Sequence, residues 1–108
     1  MNARVLIQRV LVASAATAAL AATGVAHADL KLAQQKNCTA CHAVDKKLIG
    51  PSFKDVAAKY KDADGAAAKL AAKVRAGGSG VWGQIPMPAN PQVNEAEAAT
   101  LVKWILSQ

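Results

Sequence analysis

Cys38, Cys41 and His42 lie within five positions of one another in the segment CTACH. This C-x-x-C-H pattern is typical of covalent attachment of a c-type haem. Two thiols one helical turn apart can add to the two vinyl groups of a porphyrin as thioethers. The adjacent imidazole is thereby brought beneath the ring, where it can bind the iron. The pattern predicts that Cys38 and Cys41 hold one haem c and that His42 is an axial ligand.

Three other kinds of site use the same residue types. A thioredoxin-like pair needs a cysteine of low pKa on a βαβ scaffold, and the sequence predicts no strand. A structural zinc site needs four ligands, whereas Cys38, Cys41 and His42 are the only cysteines and histidine after residue 28. A local disulfide would leave His42 unexplained. Haem attachment is therefore favoured over all three.

A second candidate ligand is Met87, the only methionine after residue 28. Methionine is a common partner of histidine on electron-transferring haems, and the alternative is that Met87 only fills the core. Pro86 and Pro88 flank it, so their rings fix φ and restrict the residue before each. Part of the entropy of ordering the segment is thereby removed from the unfolded chain. We predict that Met87 is the sixth iron ligand.

Four helical segments that could position these ligands are predicted, with no convincing strand. Each follows an Asp, Ser or Asn that can cap a helix, and two have an acidic residue three positions after the cap. The predicted caps are Asp29, Ser52, Asp64 and Asn94, with Asp55 and Glu97 as the acidic partners of Ser52 and Asn94. The first helix is predicted to reach Asn37, and the third to end at Gly77 and Gly78.

Apolar residues in these segments recur at helical spacing, which predicts one buried side on each helix. The predicted core residues are Leu30 and Ala33; Phe53, Val56, Ala57 and Tyr60; Leu70, Ala71 and Val74; and Ala98, Leu101, Val102 and Ile105, with Trp104 beside them. The predicted fold class is all-α.

The 17 residues GGSGVWGQIPMPANPQV, which span 77–93, separate the last two predicted helices. A loop of this length inside a compact domain is uncommon unless it is functional or disordered. Val81, Trp82, Ile85 and Met87 are apolar side chains that favour burial, which argues against disorder. We therefore expect the loop to pack against the haem, which would also enlarge the core of a chain this short.

Residues 1–28 have the pattern of a secretory signal peptide. Arg4 and Arg9 form a positive region, an apolar run covers 10–22, and Ala26 and Ala28 form a small-x-small cleavage site. The apolar run is shorter than the roughly 20 residues that span a bilayer, which disfavours the alternative of a membrane anchor. We predict removal of 1–28 and export of one soluble domain, 29–108, to the periplasm.

The net charge of the whole chain is +6. Its lysines are dispersed rather than clustered with aromatic residues, and export further disfavours a nucleic-acid partner. The glycine-rich segment lacks the Lys-Ser/Thr of a phosphate-binding loop, and no base partner is available for a hydrolytic serine. If they lie near the haem edge, Lys36, Lys46 and Lys47 are candidates for steering acidic redox partners.

The segments CTACHAVDKKLIGPSFKDVAAKY, GVWGQIPMPAN and LVKWILSQ together resemble the small bacterial class I cytochromes c of the c-551 type. The resemblance covers almost all of 29–108. It implies a four-helix fold around one covalent haem c bound axially by His42 and Met87. It also implies that the Pro51 carbonyl accepts the His42 ring N–H, that Trp82 reaches a haem propionate, and that Asn90 bonds near the methionine sulfur.

One position departs from the family pattern. Lys73 stands where related proteins often have an arginine that contacts the same propionate. A lysine ammonium is a point charge and not a rigid fork, so this contact is expected to be looser. Arg75 is expected to lie on a different face of the helix.

The resemblance further implies a monomeric, periplasmic electron carrier and not an enzyme. Its expected partners are a reductase, as in denitrification, or a terminal oxidase, supplied by an upstream cytochrome or copper protein. The alternative is a gas-binding or peroxidase-like haem protein with an open sixth coordination position.

Overall fold

The computed structural model describes residues 29–108, and the predicted signal peptide, 1–28, lies outside the described residues. Within 29–108 the secondary structure is helical, apart from an isolated antiparallel bridge between Gly78 and Met87. The elements are α1 (29–35), a short 3-10 helix (Cys38–Ala40), α2 (Phe53–Tyr60), α3 (Ala66–Ala76) and α4 (Glu95–Leu106). The prediction of an all-α fold with four helices is confirmed. No helix in the described range combines the length and the hydropathy needed to cross a bilayer.

The helix starts of α2 and α4 are capped by side chains, as predicted. Ser52 Oγ accepts a hydrogen bond of 3.0 Å from the Asp55 backbone N–H. Asn94 Oδ1 accepts one of 2.8 Å from Glu97 N–H, and Glu97 Oε1 accepts one of 3.1 Å from Asn94 N–H. These two reciprocal bonds satisfy donors that the helix itself leaves unpaired, which fixes where α4 begins.

Three predicted boundaries were wrong. The first helix ends at 35, because Asn37 turns the chain in the left-handed region (φ 65°) and Cys38–Ala40 then form a tighter 3-10 turn. Asp29 is already helical and so does not precede the helix. Asp64 does not cap α3, since Gly65 is the N-cap residue, with φ 69° and no side-chain bond. Glycine adopts this conformation without a steric penalty, so the chain can turn there without an Asp cap.

The core forms where α4 packs on both α2 and α3. Phe53 of α2 contacts Trp104 of α4 edge to face, with ring centres 5.2 Å apart. The predicted core positions Ala33, Ala57 and those of α4 are buried or half-buried. Val93, which the sequence analysis did not place in the core, is completely buried just before α4. The loop is therefore fastened to the core at its end.

Candidate haem site

A cavity of about 530 Å³ lies between the segment after α1, α2, α3 and the long loop. This volume is within the roughly 300–1,000 Å³ that is usual for sites of small molecules and cofactors. Cys38, Cys41, His42 and Met87 all line it. The fold thus brings the four predicted ligand residues, which are separated by as much as 49 positions in the chain, to one site.

The His42 ring is oriented by a backbone carbonyl. Its Nδ1 lies 2.7 Å from Pro51 O, which is the contact that the resemblance implies. A carbonyl oxygen can only accept, so Nδ1 must carry the hydrogen of this bond. In the neutral imidazole Nε2 then has the lone pair, which is the state that a metal needs. Pro51 therefore fixes both the tautomer and the direction of the ring.

Packing fixes the same ring from two further sides. Phe53 stacks on His42 with the ring centres 5.4 Å apart and the planes inclined by 24°. A Cβ at Gly50 would lie 2.5 Å from His42 Cε1, so only glycine fits there beside the ring. The Gly50 N–H also donates to Cys41 O at 2.8 Å. His42 is thus held by the segment before α2 and by the core residue Phe53.

Cys38 and Cys41 lie at the start of the 3-10 turn and directly after it. Both residues are half-buried. Burial raises the pKa of the Cys38 thiol above its ordinary value. A reactive thiol of a disulfide oxidoreductase needs a lowered pKa, so the surroundings of Cys38 do not favour that role for this residue. The described residues also contain no cluster of three or more His, Cys, Asp or Glu residues suited to a metal ion.

Met87 is held through its backbone. Its N–H donates to Gly78 O at 2.8 Å and its carbonyl accepts from Gly78 N–H at 3.0 Å, which closes a two-bond bridge. The bridge requires Gly77, where φ is 73° and a Cβ would collide with Met87 O and lie 2.7 Å from Ala89 N. The methionine segment is therefore fastened to the end of α3 at the residue that faces the cavity.

The apolar side chains of the loop surround the cavity rather than entering the core. Val81, Trp82 and Ile85 line it and are 50%, 45% and 69% exposed. The polypeptide itself therefore does not bury these three side chains, as it would if they packed between helices. Lys59 of α2 lies with its Nζ 5.5 Å from the centre of the Trp82 ring, a cation–π contact. An apolar cofactor in the cavity would cover this surface, so the lining fits a haem.

Asn90 lies behind the methionine segment. Its Nδ2 donates to Val74 O at 2.8 Å and to Pro88 O at 3.3 Å, and its backbone N–H donates to Arg75 O at 3.0 Å. These bonds tie the turn after Met87 to the last turn of α3. The implied bond to the methionine sulfur stays a prediction.

Three basic side chains have different surroundings. Lys73 lines the cavity. Its Nζ packs closely on Gly78, since a Cβ added to that glycine would lie only 2.6 Å from it. Arg75 faces away, as expected, with Nε 3.1 Å from Val93 O and Nη1 3.3 Å from Glu95 Oε1. Lys36 pairs with Glu97 at 3.1 Å and donates to Gln92 O at 3.0 Å. Lys36 is therefore tied to the start of α4 and to the end of the long loop, and its nomination as a residue that steers partners stays a prediction.

Sequence analysis missed Gly50, Lys59 and Gln92. Gly50 directly precedes Pro51, whose carbonyl was expected to bond to His42. A glycine next to that contact was a usable signal that the backbone approaches the His42 ring closely. Lys59 and Gln92 contact residues 23 and 56 positions away, at Trp82 and Lys36. No local pattern contains such information.

Comparison with known proteins agrees with this geometry. The family model described as Cytochrome c matches residues 30–108. Cytochrome c-552 of Nitrosomonas europaea is 54% identical over 92 residues, which cover 85% of this chain and 89% of that protein. Cytochrome c-551 of Azotobacter vinelandii is 62% identical over 77 residues, 71% of this chain and 93% of that protein.

The fold is shared as well. The crystal structure of wild-type Nitrosomonas europaea cytochrome c552 matches with a TM-score of 0.71 and 55% identity, over 72% of this chain and 96% of that chain. Family, fold and cavity lining therefore lead to one conclusion. The chain belongs to the cytochrome c family as a small class I cytochrome of the c-551 type, in which Cys38 and Cys41 fit one covalently attached haem c.

Proposed function

We propose that this cytochrome is a periplasmic electron carrier whose haem iron is bound by His42 and Met87. The observation that carries the proposal is that these two residues, the only histidine and methionine after residue 28, line one cavity together with both cysteines. Histidine and methionine are the ligand pair typical of electron-transferring c-type haems. Membership of the cytochrome c family supports the electron-transfer function itself.

The bound haem supplies an iron that is reversibly reduced from the ferric to the ferrous state. The contribution of the polypeptide is to keep both ligands in place in either state. Pro51 and Phe53 hold the His42 ring, and the bridge to Gly78 holds the backbone of Met87. Methionine ligation and an apolar surrounding both disfavour extra positive charge on the iron, so they raise the reduction potential.

A gas-binding or peroxidase-like protein is the competing function, and it requires an open sixth position. The two-bond bridge at Met87 supports a fixed residue there and not a displaceable lid. The proposed contacts of Trp82 and Lys73 to the propionates are compatible with either function, since both residues line the cavity. The state of the sixth position therefore distinguishes the two functions.

The test is the visible absorption spectrum of the purified, reduced holoprotein with and without carbon monoxide. We expect a c-type spectrum that carbon monoxide leaves unchanged, because Met87 occupies the sixth position. Met87→Ala should convert it to a carbon-monoxide-sensitive spectrum while Cys38 and Cys41 keep the haem attached. A wild-type spectrum that shifts as readily as that of Met87→Ala would exclude the proposal and favour the open site.

Export and partners are a separate part of the proposal. Cleavage after Ala28 predicts that the intact mass of the holoprotein from the periplasmic fraction equals residues 29–108 plus one haem. A holoprotein that keeps residues 1–28 and sediments with membranes would contradict it. We propose a monomer that exchanges electrons with a reductase or oxidase and with an upstream cytochrome or copper protein. Lys36, Lys46 and Lys47 remain candidates for steering these partners, and Lys47 lines the cavity.

A further inference from the structure

Gln92 connects the methionine segment to the end of α1. Its Nε2 donates to Asn90 Oδ1 at 3.1 Å and to the Lys36 carbonyl at 3.2 Å. Lys36 Nζ donates back to Gln92 O at 3.0 Å. Lys36 lies two residues before Cys38, and Asn90 lies three residues after Met87. The contacts therefore link the segment that carries the cysteines to the segment that carries the methionine, outside the cavity.

The donors and acceptors of this cluster determine one another. Val74 O and Pro88 O can only accept, so the Asn90 atom that faces them must be Nδ2. Asn90 Oδ1 then faces Gln92, which must present its own Nε2. The second acceptor near that Nε2 is Lys36 O, which is compatible with the same orientation. Gln92 is therefore the donor that completes the bonding of Asn90.

The other side of the cluster is connected to the start of α4 and to the core. Lys36 Nζ pairs with Glu97 Oε2 at 3.1 Å, and Glu97 belongs to the capping box that starts α4. Val93, next to Gln92, is completely buried. Gln92 thus reaches Asn90 from a part of the molecule that is fastened to the core. This side of the cluster can restrain residues 88–90, of which Pro88 and Ala89 are exposed and Asn90 is half-buried.

We propose that Gln92 is a positioning residue for Met87, restraining how readily the methionine segment moves away from the cavity. The inference rests on the proposed function, in which Met87 binds the iron. Without the amide of Gln92, Asn90 Oδ1 and Lys36 O lose their donor, and the Asn90 side chain can rotate. The hydrogen bonds from Asn90 Nδ2 to Pro88 O and Val74 O then weaken, and a competing ligand displaces Met87 from the iron more easily.

The test is a titration of the ferric holoprotein with imidazole, which binds iron where Met87 leaves it. We expect Gln92→Ala to bind imidazole about 2- to 12-fold more tightly than wild type, the range that one lost hydrogen bond predicts. Gln92→Glu, of the same length but without a hydrogen to donate once ionised, should change the affinity in the same direction. Gln35→Ala is the matched control, because Gln35 is exposed on α1 and its side chain makes no hydrogen bond within 29–108.

The outcomes separate the inference from the function it depends on. If wild type binds imidazole as tightly as Met87→Ala does, Met87 is not a ligand, and both proposals fail. If wild type resists imidazole but Gln92→Ala binds it no more tightly, only the role of Gln92 is overturned. A lower melting temperature of Gln92→Ala with unchanged imidazole affinity would also overturn it, because a purely structural residue gives that result.

Discussion

The two sides of the cavity are built differently. On the histidine side, the ring of His42 is bonded to Pro51 O, stacked on Phe53 and flanked by Gly50. Phe53 in turn contacts Trp104, so Phe53 connects the His42 ring directly to the buried core. On the methionine side, Met87 is held by a two-bond backbone bridge, and the apolar residues of its loop are largely exposed.

The two proposed ligands therefore depend on different kinds of interaction. Burial of large side chains stabilises the histidine side, and an aromatic residue lost from a core costs several kcal/mol. Hydrogen bonds stabilise the methionine side, and each contributes only about 0.5–1.5 kcal/mol net. We therefore expect changes on the histidine side to alter global stability and changes on the methionine side to alter ligation first.

The largest effect is expected from Phe53→Ala. The substitution removes the ring that stacks on His42 and contacts Trp104, and it leaves a cavity in the core. It should lower the free energy of unfolding by about 3–5 kcal/mol, measured by denaturant unfolding of the ferric holoprotein. Phe53→Leu, which keeps much of the volume, should recover most of that loss. Equal losses for both variants would show that volume in the core is not what stabilises the histidine side.

Gly77→Ala sharpens the comparison on the methionine side. Gly77 (φ 73°, ψ −169°) and Gly65 (φ 69°, ψ 12°) share a positive φ but differ in ψ. Of the two, only Gly77 has neighbours with which a Cβ would collide, and these belong to the methionine segment. We expect Gly77→Ala to be less stable than Gly65→Ala by about 1–3 kcal/mol in thermal unfolding. Gly77→Ala should also bind imidazole more tightly. If Gly77→Ala is no less stable than Gly65→Ala and binds imidazole no more tightly, contact with the methionine segment does not explain the glycine.

Lys59→Met tests the link between α2 and the loop. It removes the ammonium group that lies 5.5 Å from the Trp82 ring centre and 5.8 Å from that of Tyr60, while keeping an unbranched side chain. A cation–π contact at an exposed site is worth about 0.5–1 kcal/mol. The free energy of unfolding should fall by that amount. Lys61→Met is the control, because Lys61 belongs to the same segment and makes no such contact in the described structure. If Lys61→Met lowers the free energy of unfolding by as much, the effect is due to the change in net charge and not to the cation–π contact.

The smallest expected effect is a dependence of stability on pH through Glu97. The Asn94 backbone N–H and then Lys36 lower the pKa of Glu97 below its ordinary value. The carboxylate form is thus favoured by folding. Its stabilisation is fully present above the pKa of the unfolded state and is lost as the pH falls through the lowered, folded-state pKa.

The measurement is the melting temperature of wild type and Glu97→Gln across that acidic range. The difference between them should shrink as the pH falls, and added salt should reduce the part due to Lys36. Glu95→Gln, which removes the other ion pair at the start of α4, is a matched comparison. A difference that does not vary with pH would show that the ionised carboxylate contributes nothing.

Much of the site could be predicted without the structure, because its signals are local. The spacing of Cys38, Cys41 and His42 is set by the two vinyl groups and the iron of one cofactor. The caps at Ser52 and Asn94 are local too, and they mark real helix starts. Asp64 failed as a cap because its neighbour Gly65 could take the left-handed conformation, and an acidic residue alone does not show which of the two turns the chain.

The all-α class, the cofactor and the nominated ligands could be predicted from the amino-acid sequence, because helical periodicity and the attachment motif act over a few residues. What holds the nominated ligands in place depends on the tertiary structure. Phe53 reaches His42, Lys59 reaches Trp82, and Gln92 joins Lys36 to Asn90, all through contacts between segments that no local pattern specifies. Such contacts arise from how helices pack around a core, which depends on all of them at once.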